Sequence, residues 1–188
     1  MIHLVGPGGA GKSTVAPLLA AMLGVPAYDL DTRFTAAHGS VDVFIATHGY
    51  RAYAAANVRA YLALAGAARA GVCALSSGFM VYPPDVEPRY AGLRAALAAS
   101  PTTVVLLPAL ELEACVAETV RRQVSRAAGR STPEHAEAKI RARFIAYSAL
   151  PGPKVATARP PALVAAEVAA LLRVAAGPLA PERHLTNR

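Results

Sequence analysis

Tryptophan is absent, cysteine occurs twice, aspartate four times, and only three of the 19 basic side chains are lysines. Cys73 and Cys115 stand 42 residues apart with no histidine or further cysteine at metal-ligand spacing. That excludes a disulfide scaffold and a zinc module and leaves two reduced core thiols. No apolar run reaches the roughly 18–20 residues that a bilayer crossing takes, and the start MIHLVGPGG has no basic stretch leading into a longer apolar one. A soluble, cytoplasmic protein with no membrane partner is expected. Neither N-K-x-D nor D-x-x-G occurs, so nothing supports a guanine-reading switch.

What the chain has is apolar mass: 54% of 188 residues, enough for one buried core. A single domain over 1–176 is expected, followed by a polar tail at 177–188. The formal charge of +7 is unevenly spread. Seven of the 19 basic residues fall between Arg121 and Arg143, with only Glu134 and Glu137 among them. Such a segment can face any polyanion. Aromatic side chains for base stacking are limited there to Phe144 and Tyr147, so capture of a phosphate-bearing small molecule is favoured over nucleic acid.

Patterning alternates strand and helix. MIHLV is a short β-branched run, and 12–23 carries apolar residues at helical spacing up to Gly24. VPAYDLD reads as a second strand, followed by helix from about Thr32, a turn near His38–Gly39 and further helix through FIATHGYRAYAAANVRAYLALA. VCALSSGF is a buried strand entering a polar loop, YAGLRAALAA a helix and TTVVLLPA the most strand-like stretch. Helix follows from Leu110 to about Arg126, then an irregular AAGRSTPEH, helix from Pro133 to Tyr147, a short strand in PGPKVATARPP and helix from Ala162 to Val174. This order predicts an α/β fold with three layers and a parallel central sheet.

The loop between the first strand and helix reads Gly6-Pro7-Gly8-Gly9-Ala10-Gly11-Lys12-Ser13-Thr14 and fits G-x-x-x-x-G-K-[ST] throughout. Glycines let successive backbone N–H groups point inward, and the helix N-terminus adds partial positive charge. Lys12 reaches the β- and γ-phosphates, and the Ser13 hydroxyl ligates magnesium. ATP and Mg2+ are therefore the expected cofactors, held by Gly8, Gly9, Ala10, Gly11, Lys12, Ser13 and Thr14. Two of the four aspartates, Asp29 and Asp31, close the second strand. Positions i and i+2 of an extended strand share a face, so one carboxylate can serve the metal and the other an attacking hydroxyl. The spacing alone leaves open which of the two takes which role. Arg121, Arg122, Arg126 and Arg130 fall where a lid over the nucleotide is expected; Arg126 is the candidate for catalysis and Arg122 and Arg130 for nucleotide binding, and which of them touches phosphate stays open.

With the phosphate loop, D-x-D, Ser76-Ser77-Gly78 and the basic lid in this order, the chain resembles a shikimate kinase of the nucleoside-monophosphate-kinase-like P-loop fold over about residues 1–174. The resemblance implies a substrate-binding region at about 32–62, a lid at about 121–137, magnesium near Asp29, and Asp31 as the residue that binds substrate hydroxyls and serves as the base. Arg143-Phe-Ile-Ala-Tyr147 matches an R-x-x-x-Y whose arginine grips the substrate carboxylate. The family's G-E-x-x-F-R-x-x-E corresponds to Gly49, Tyr50, Tyr53, Ala54 and Asn57, so a substrate-binding arginine is replaced by Ala54 and its supporting glutamate by Asn57. The three-glycine loop becomes Ser76-Ser77-Gly78, and Arg126-Ala127 lacks the usual arginine–proline pair. Weak or absent activity on shikimate is expected unless Arg51 or Arg59 fills the gap, and Arg51, three residues before Ala54, is the better placed of the two. Tyr53, Asn57, Ser76, Ser77, Gly78 and Arg143 complete the expected acceptor pocket, with Tyr50 and Phe79 as possible walls.

The resulting expectation is a monomeric or weakly dimeric phosphotransferase that moves the γ-phosphate of ATP to a hydroxyl of a small metabolite, shikimate or a related cyclitol or polyol. An antibiotic phosphotransferase similar to those acting on chloramphenicol and a non-catalytic nucleotide-binding module are the alternatives.

Overall fold

The computed structural model describes residues 1–124 and 133–176. Its strands are β1 (Ile2–Val5), β2 (Ala27–Asp29), β3 (Val72–Ala74), β4 (Thr103–Leu107) and β5 (Lys154–Ala156). The α-helices are α1 (Lys12–Leu23), α2 (Leu30–His38), α3 (Val41–Ala67), α4 (Tyr90–Ala99), α5 (Leu112–Val124), α6 (Pro133–Ser148) and α7 (Pro161–Ala176), with a 3-10 turn at Phe79–Val81. The strands form one sheet in the order β2-β3-β1-β4-β5, and every pairing is parallel. Parallel strands require crossovers, and the helices that supply them cover both faces.

The period-2 alternation of strand side chains divides the core in two. Leu4, Val72, Ala74, Val104 and Leu106 pack with Val15, Leu19, Val164 and Val168 of α1 and α7. Val5, Cys73, Val105 and Leu107 face the opposite way, onto Phe34, Tyr53, Tyr61 and Phe79. Both cysteines are buried free thiols. Among the described residues no helix is long and apolar enough to cross a membrane.

Two local features differ from the sequence reading and both bear on the site. Helix α2 begins at Leu30, two residues before the expected start, because the Asp29 carboxylate caps it by accepting the Thr32 N–H at 2.9 Å. Asp31 therefore sits in the first helical turn, and the two aspartates do not share a strand face. Helix α3 is broken at Gly49, with φ 82° and ψ 160°. A side chain is strained in that backbone, and the break sets Tyr50 and Tyr53 on a separately aimed segment. The expected lid residues Arg126 and Arg130 lie outside the described residues.

Candidate active site

The phosphate loop joins the carboxyl end of β1 to α1, the edge of a parallel sheet where ligands are bound. Gly6 is required by packing as well as by its φ of 151°. A Cβ there would lie 2.1 Å from the Leu106 carbonyl oxygen of β4. Gly11 precedes α1 at φ 81°, and no side chain caps that helix, leaving its N-terminal end able to receive phosphate.

Lys12 is 8% exposed, and its Nζ donates to the carbonyls of Gly6 (2.7 Å) and Pro7 (2.9 Å). Burial lowers its pKa from 10.5 to about 8. The charges of Asp31 and Asp29 act against that shift, and the Arg143 guanidinium adds to it. One electrostatic neighbourhood thus includes the loop lysine, both aspartates and an arginine from α6.

Asp31 is held from the β3 loop. Its Oδ1 accepts from Ser76 Oγ at 2.5 Å and, more weakly, from Tyr53 OH at 3.4 Å. The next residue, Ser77, accepts from Arg143 Nη1 at 3.0 Å through its hydroxyl, and its carbonyl accepts from Tyr147 OH at 3.1 Å. The paired serines therefore set the carboxylate and the guanidinium on adjacent positions of one loop. Gly78 closes the crossing. A Cβ there would fall 2.6 Å from Tyr50 OH, 2.8 Å from Tyr82 Cε1 and 3.4 Å from Arg143 Nη2.

Two expected contacts are redirected. Arg51 donates to the Asp85 carboxylate at 2.9 and 3.1 Å and to the Asp85 carbonyl at 3.0 Å, at the surface. The guanidinium pairs with Asp85 here, whereas the expectation had it stand in for the arginine absent at Ala54. Asn57 has no exposed surface and accepts from Tyr82 OH at 3.2 Å, so it lies behind the pocket wall. Phe79 is likewise fully buried. Tyr53 and the 41%-exposed Tyr50 form the aromatic wall, their ring centroids 5.9 Å apart.

On the nucleotide side Arg122 donates to the Gly9 carbonyl at 2.8 Å and to Thr157 Oγ1 and O at 3.0 and 2.7 Å, and pairs with Glu118. A cavity of about 230 Å³ borders Gly9, Gly11, Thr14, Arg122, Thr157 and Arg159. Thr157 and Arg159 escaped the sequence reading. Their only signal was a position at the end of the last strand, whose place beside β4 is known from the fold. A larger cavity of about 520 Å³, bordered by Arg33, His38 and Arg59, shares no residue with this site.

The donor set fits magnesium bound jointly with nucleotide phosphate. Ser13 offers a hydroxyl and Asp29 a carboxylate, and among the described residues there is no cluster of three or more His, Cys, Asp or Glu to form an all-protein cage.

The family model for shikimate kinase matches residues 8–147. The chain belongs to the shikimate kinase family. Membership implies an ATP-dependent small-molecule kinase that works with a divalent metal. The fold is similar to that of the shikimate kinase from Acinetobacter baumannii in complex with shikimate, with TM-score 0.67, 22% identity and 91% of each chain covered. It is also similar to the Aquifex aeolicus VF5 shikimate kinase, with TM-score 0.66, 20% identity, and 91% of this chain and 95% of that one covered. No curated protein sequence matches. In this shikimate kinase family member the positions of Ala54 and Asn57 are both fully buried, so the departures noted above change the wall of the pocket, not its exposed rim.

Proposed function

We propose that the protein transfers the γ-phosphoryl group of ATP to a hydroxyl of a small hydroxylated metabolite, shikimate or a related cyclitol or polyol. The observation that carries this reading is the carboxylate of Asp31, held by Ser76 and lying within the electrostatic reach of Lys12. Lys12 and the N-terminus of α1 bind the polyphosphate, and Ser13 and Asp29 would hold magnesium, which would supply charge neutralisation there. Ser76 fixes Oδ1 of Asp31, and Oδ2 takes the proton of the acceptor hydroxyl. Phosphoryl transfer needs chiefly positioning and electrostatic stabilisation, so an oriented alcohol with one well-placed base suffices. Arg143 pairs with an anionic group of the acceptor by charge-assisted hydrogen bonds. Arg122, together with Thr157 and Arg159, borders the nucleotide.

The A. baumannii relative is described in complex with shikimate, which supports an acceptor of that chemical kind. The test is ADP release by purified protein with ATP and magnesium, over a panel of shikimate, cyclitols, polyols and an aryl-alcohol antibiotic, with the mass of each product measured. Acceptor-dependent ADP release with a product heavier by one phosphoryl group supports the reading. ATP binding without phosphorylation of any alcohol overturns it in favour of a nucleotide-binding module.

A further inference from the structure

The acceptor site has more room than one compact ring needs, and the extra room is apolar. A cavity of about 460 Å³ starts at Tyr50 and Arg143 and is bordered by Val81, Ala138, Ala142 and Ala146, with Lys139 at its edge. Residues 138, 142 and 146 recur every four positions, so they line one side of α6. Their small side chains leave the trough open.

This trough is continuous with the site at its ionic end. Arg143 borders the trough and donates to Ser77, the neighbour of the serine that holds Asp31. Tyr50 borders it too, and its ring meets Tyr53, whose hydroxyl reaches Asp31. From the reacting end outward the order is therefore carboxylate, aromatic wall, guanidinium and apolar trough. Among the described residues that border the trough, positive charge lies at Arg143 and Lys139, both on α6. A compact polyol would leave the apolar surface in contact with water. A ligand with a ring-sized hydrocarbon part would remove that surface from water and use the tyrosine face for ring contact.

We infer that the preferred acceptor is a hydroxylated acid bearing a ring-sized apolar substituent, which lies along α6 while the anionic group meets Arg143 and the hydroxyl faces Asp31. This rests on the kinase reading above and narrows its substrate class. Its test reads binding directly and so does not depend on turnover. Dissociation constants of 3-phenyllactate and 2-hydroxy-4-phenylbutyrate are compared with those of glycerate and shikimate in the presence of a non-hydrolysable ATP analogue and magnesium. The aryl hydroxy acids should bind about tenfold or more tighter than glycerate, and Ala142→Leu, which fills the trough at an exposed helical position, should erase that advantage. Affinity for the ATP analogue, measured on the same preparations, reports that the variant is folded.

Equal affinity for aryl acids and glycerate overturns the inference, as does an aryl preference that survives Ala142→Leu. If shikimate and other compact acceptors are phosphorylated while aryl acids show no preference, the inference fails and the kinase reading stands. If aryl acids bind in the trough and no alcohol is phosphorylated, the kinase reading fails and the binding site stands.

Discussion

Lys12 provides the strongest quantitative test, because its burial is a cost the free protein carries until phosphate arrives. Unfolded, its amine keeps a proton up to pH 10.5, whereas in the folded protein burial brings the value down to about 8. A difference of about 2.5 pH units, at about 1.36 kcal/mol each, amounts to about 3 kcal/mol. Between these two values the unfolded chain binds more protons than the folded one, so this group makes stability rise with pH. Below pH 8 the cost is fully present. Above about 10.5 both states are neutral and the cost has gone. The perturbation is Lys12→Met, which keeps the volume of the side chain and removes the amine. Loss of the bonds to the Gly6 and Pro7 carbonyls shifts the variant's stability across the neutral range, and the titrating tyrosines and cysteines largely cancel in the difference between the proteins. Urea unfolding at steps from pH 7 to 10.5 without nucleotide should therefore show the wild type gaining up to about 3 kcal/mol on the variant, chiefly above pH 8. Saturating ATP and magnesium should keep the amine protonated, abolish the wild-type slope and add about 2.7 kcal/mol at a hundredfold excess over Kd, with no comparable gain in Lys12→Met. Parallel stability curves for the two free proteins across this range would refute the claim that burial depresses the pKa of the loop amine.

The other predictions concern the acceptor side. Asp31→Asn should lower phosphoryl transfer by about 10²–10⁴ with ATP affinity little changed, in line with loss of a general base; rapid-quench rates and nucleotide titration read the two separately, and an equal loss of both would assign Asp31 to the metal. Arg143→Ala should raise KM for an anionic acceptor by about 10- to 100-fold, the worth of one charge-assisted contact, while leaving a neutral acceptor unaffected in steady-state kinetics. Arg51→Ala should leave acceptor KM unchanged, because its guanidinium is spent on Asp85; a clear rise in KM would return Arg51 to the binding pocket. Ser76→Ala should lower kcat more than it raises KM, since Ser76 orients the carboxylate through Oδ1.

The parts of the fold that follow from local chemistry were legible in the chain. Glycines at 6, 9 and 11 with lysine and serine behind them specify a phosphate loop, and strand–helix alternation specifies a parallel sheet. Errors arose where a short-range rule competed with another short-range rule. Asp29 can end a strand or cap a helix; the cap prevailed, and Asp31 moved from a strand face to a helical turn. Other contacts were not legible because the partner is distant in sequence. Nothing around Arg51 announces Asp85, 34 residues on, and nothing around Asn57 announces Tyr82. Thr157 and Arg159 join the nucleotide side only because β5 runs parallel beside β4.

These two kinds of gap have one consequence for function. On the proposed reading the phosphate side of the site is built mainly from a contiguous nine-residue loop, whereas the acceptor side is assembled from α2, α3, the β3 loop and α6. A substitution in the loop acts on phosphate within its own segment. A substitution such as alanine at 54 or asparagine at 57 acts through whatever packs against it, here a wall of tyrosines in which Tyr82 bonds Asn57 and Tyr53 reaches Asp31. Replacing a guanidinium and its carboxylate by small and neutral side chains removes charge from that wall while retaining its hydrogen bonding to Asp31. On the reading proposed above, charge for an acceptor comes from α6, at Arg143, and the acceptor lies along the direction from Asp31 to Arg143. Ala54→Arg combined with Asn57→Glu, which gives the buried guanidinium its carboxylate partner, should therefore improve compact, strongly anionic acceptors at the expense of elongated ones, and kcat/KM ratios for shikimate against an aryl hydroxy acid measure that exchange. Improvement of both classes alike would place positions 54 and 57 outside the acceptor axis.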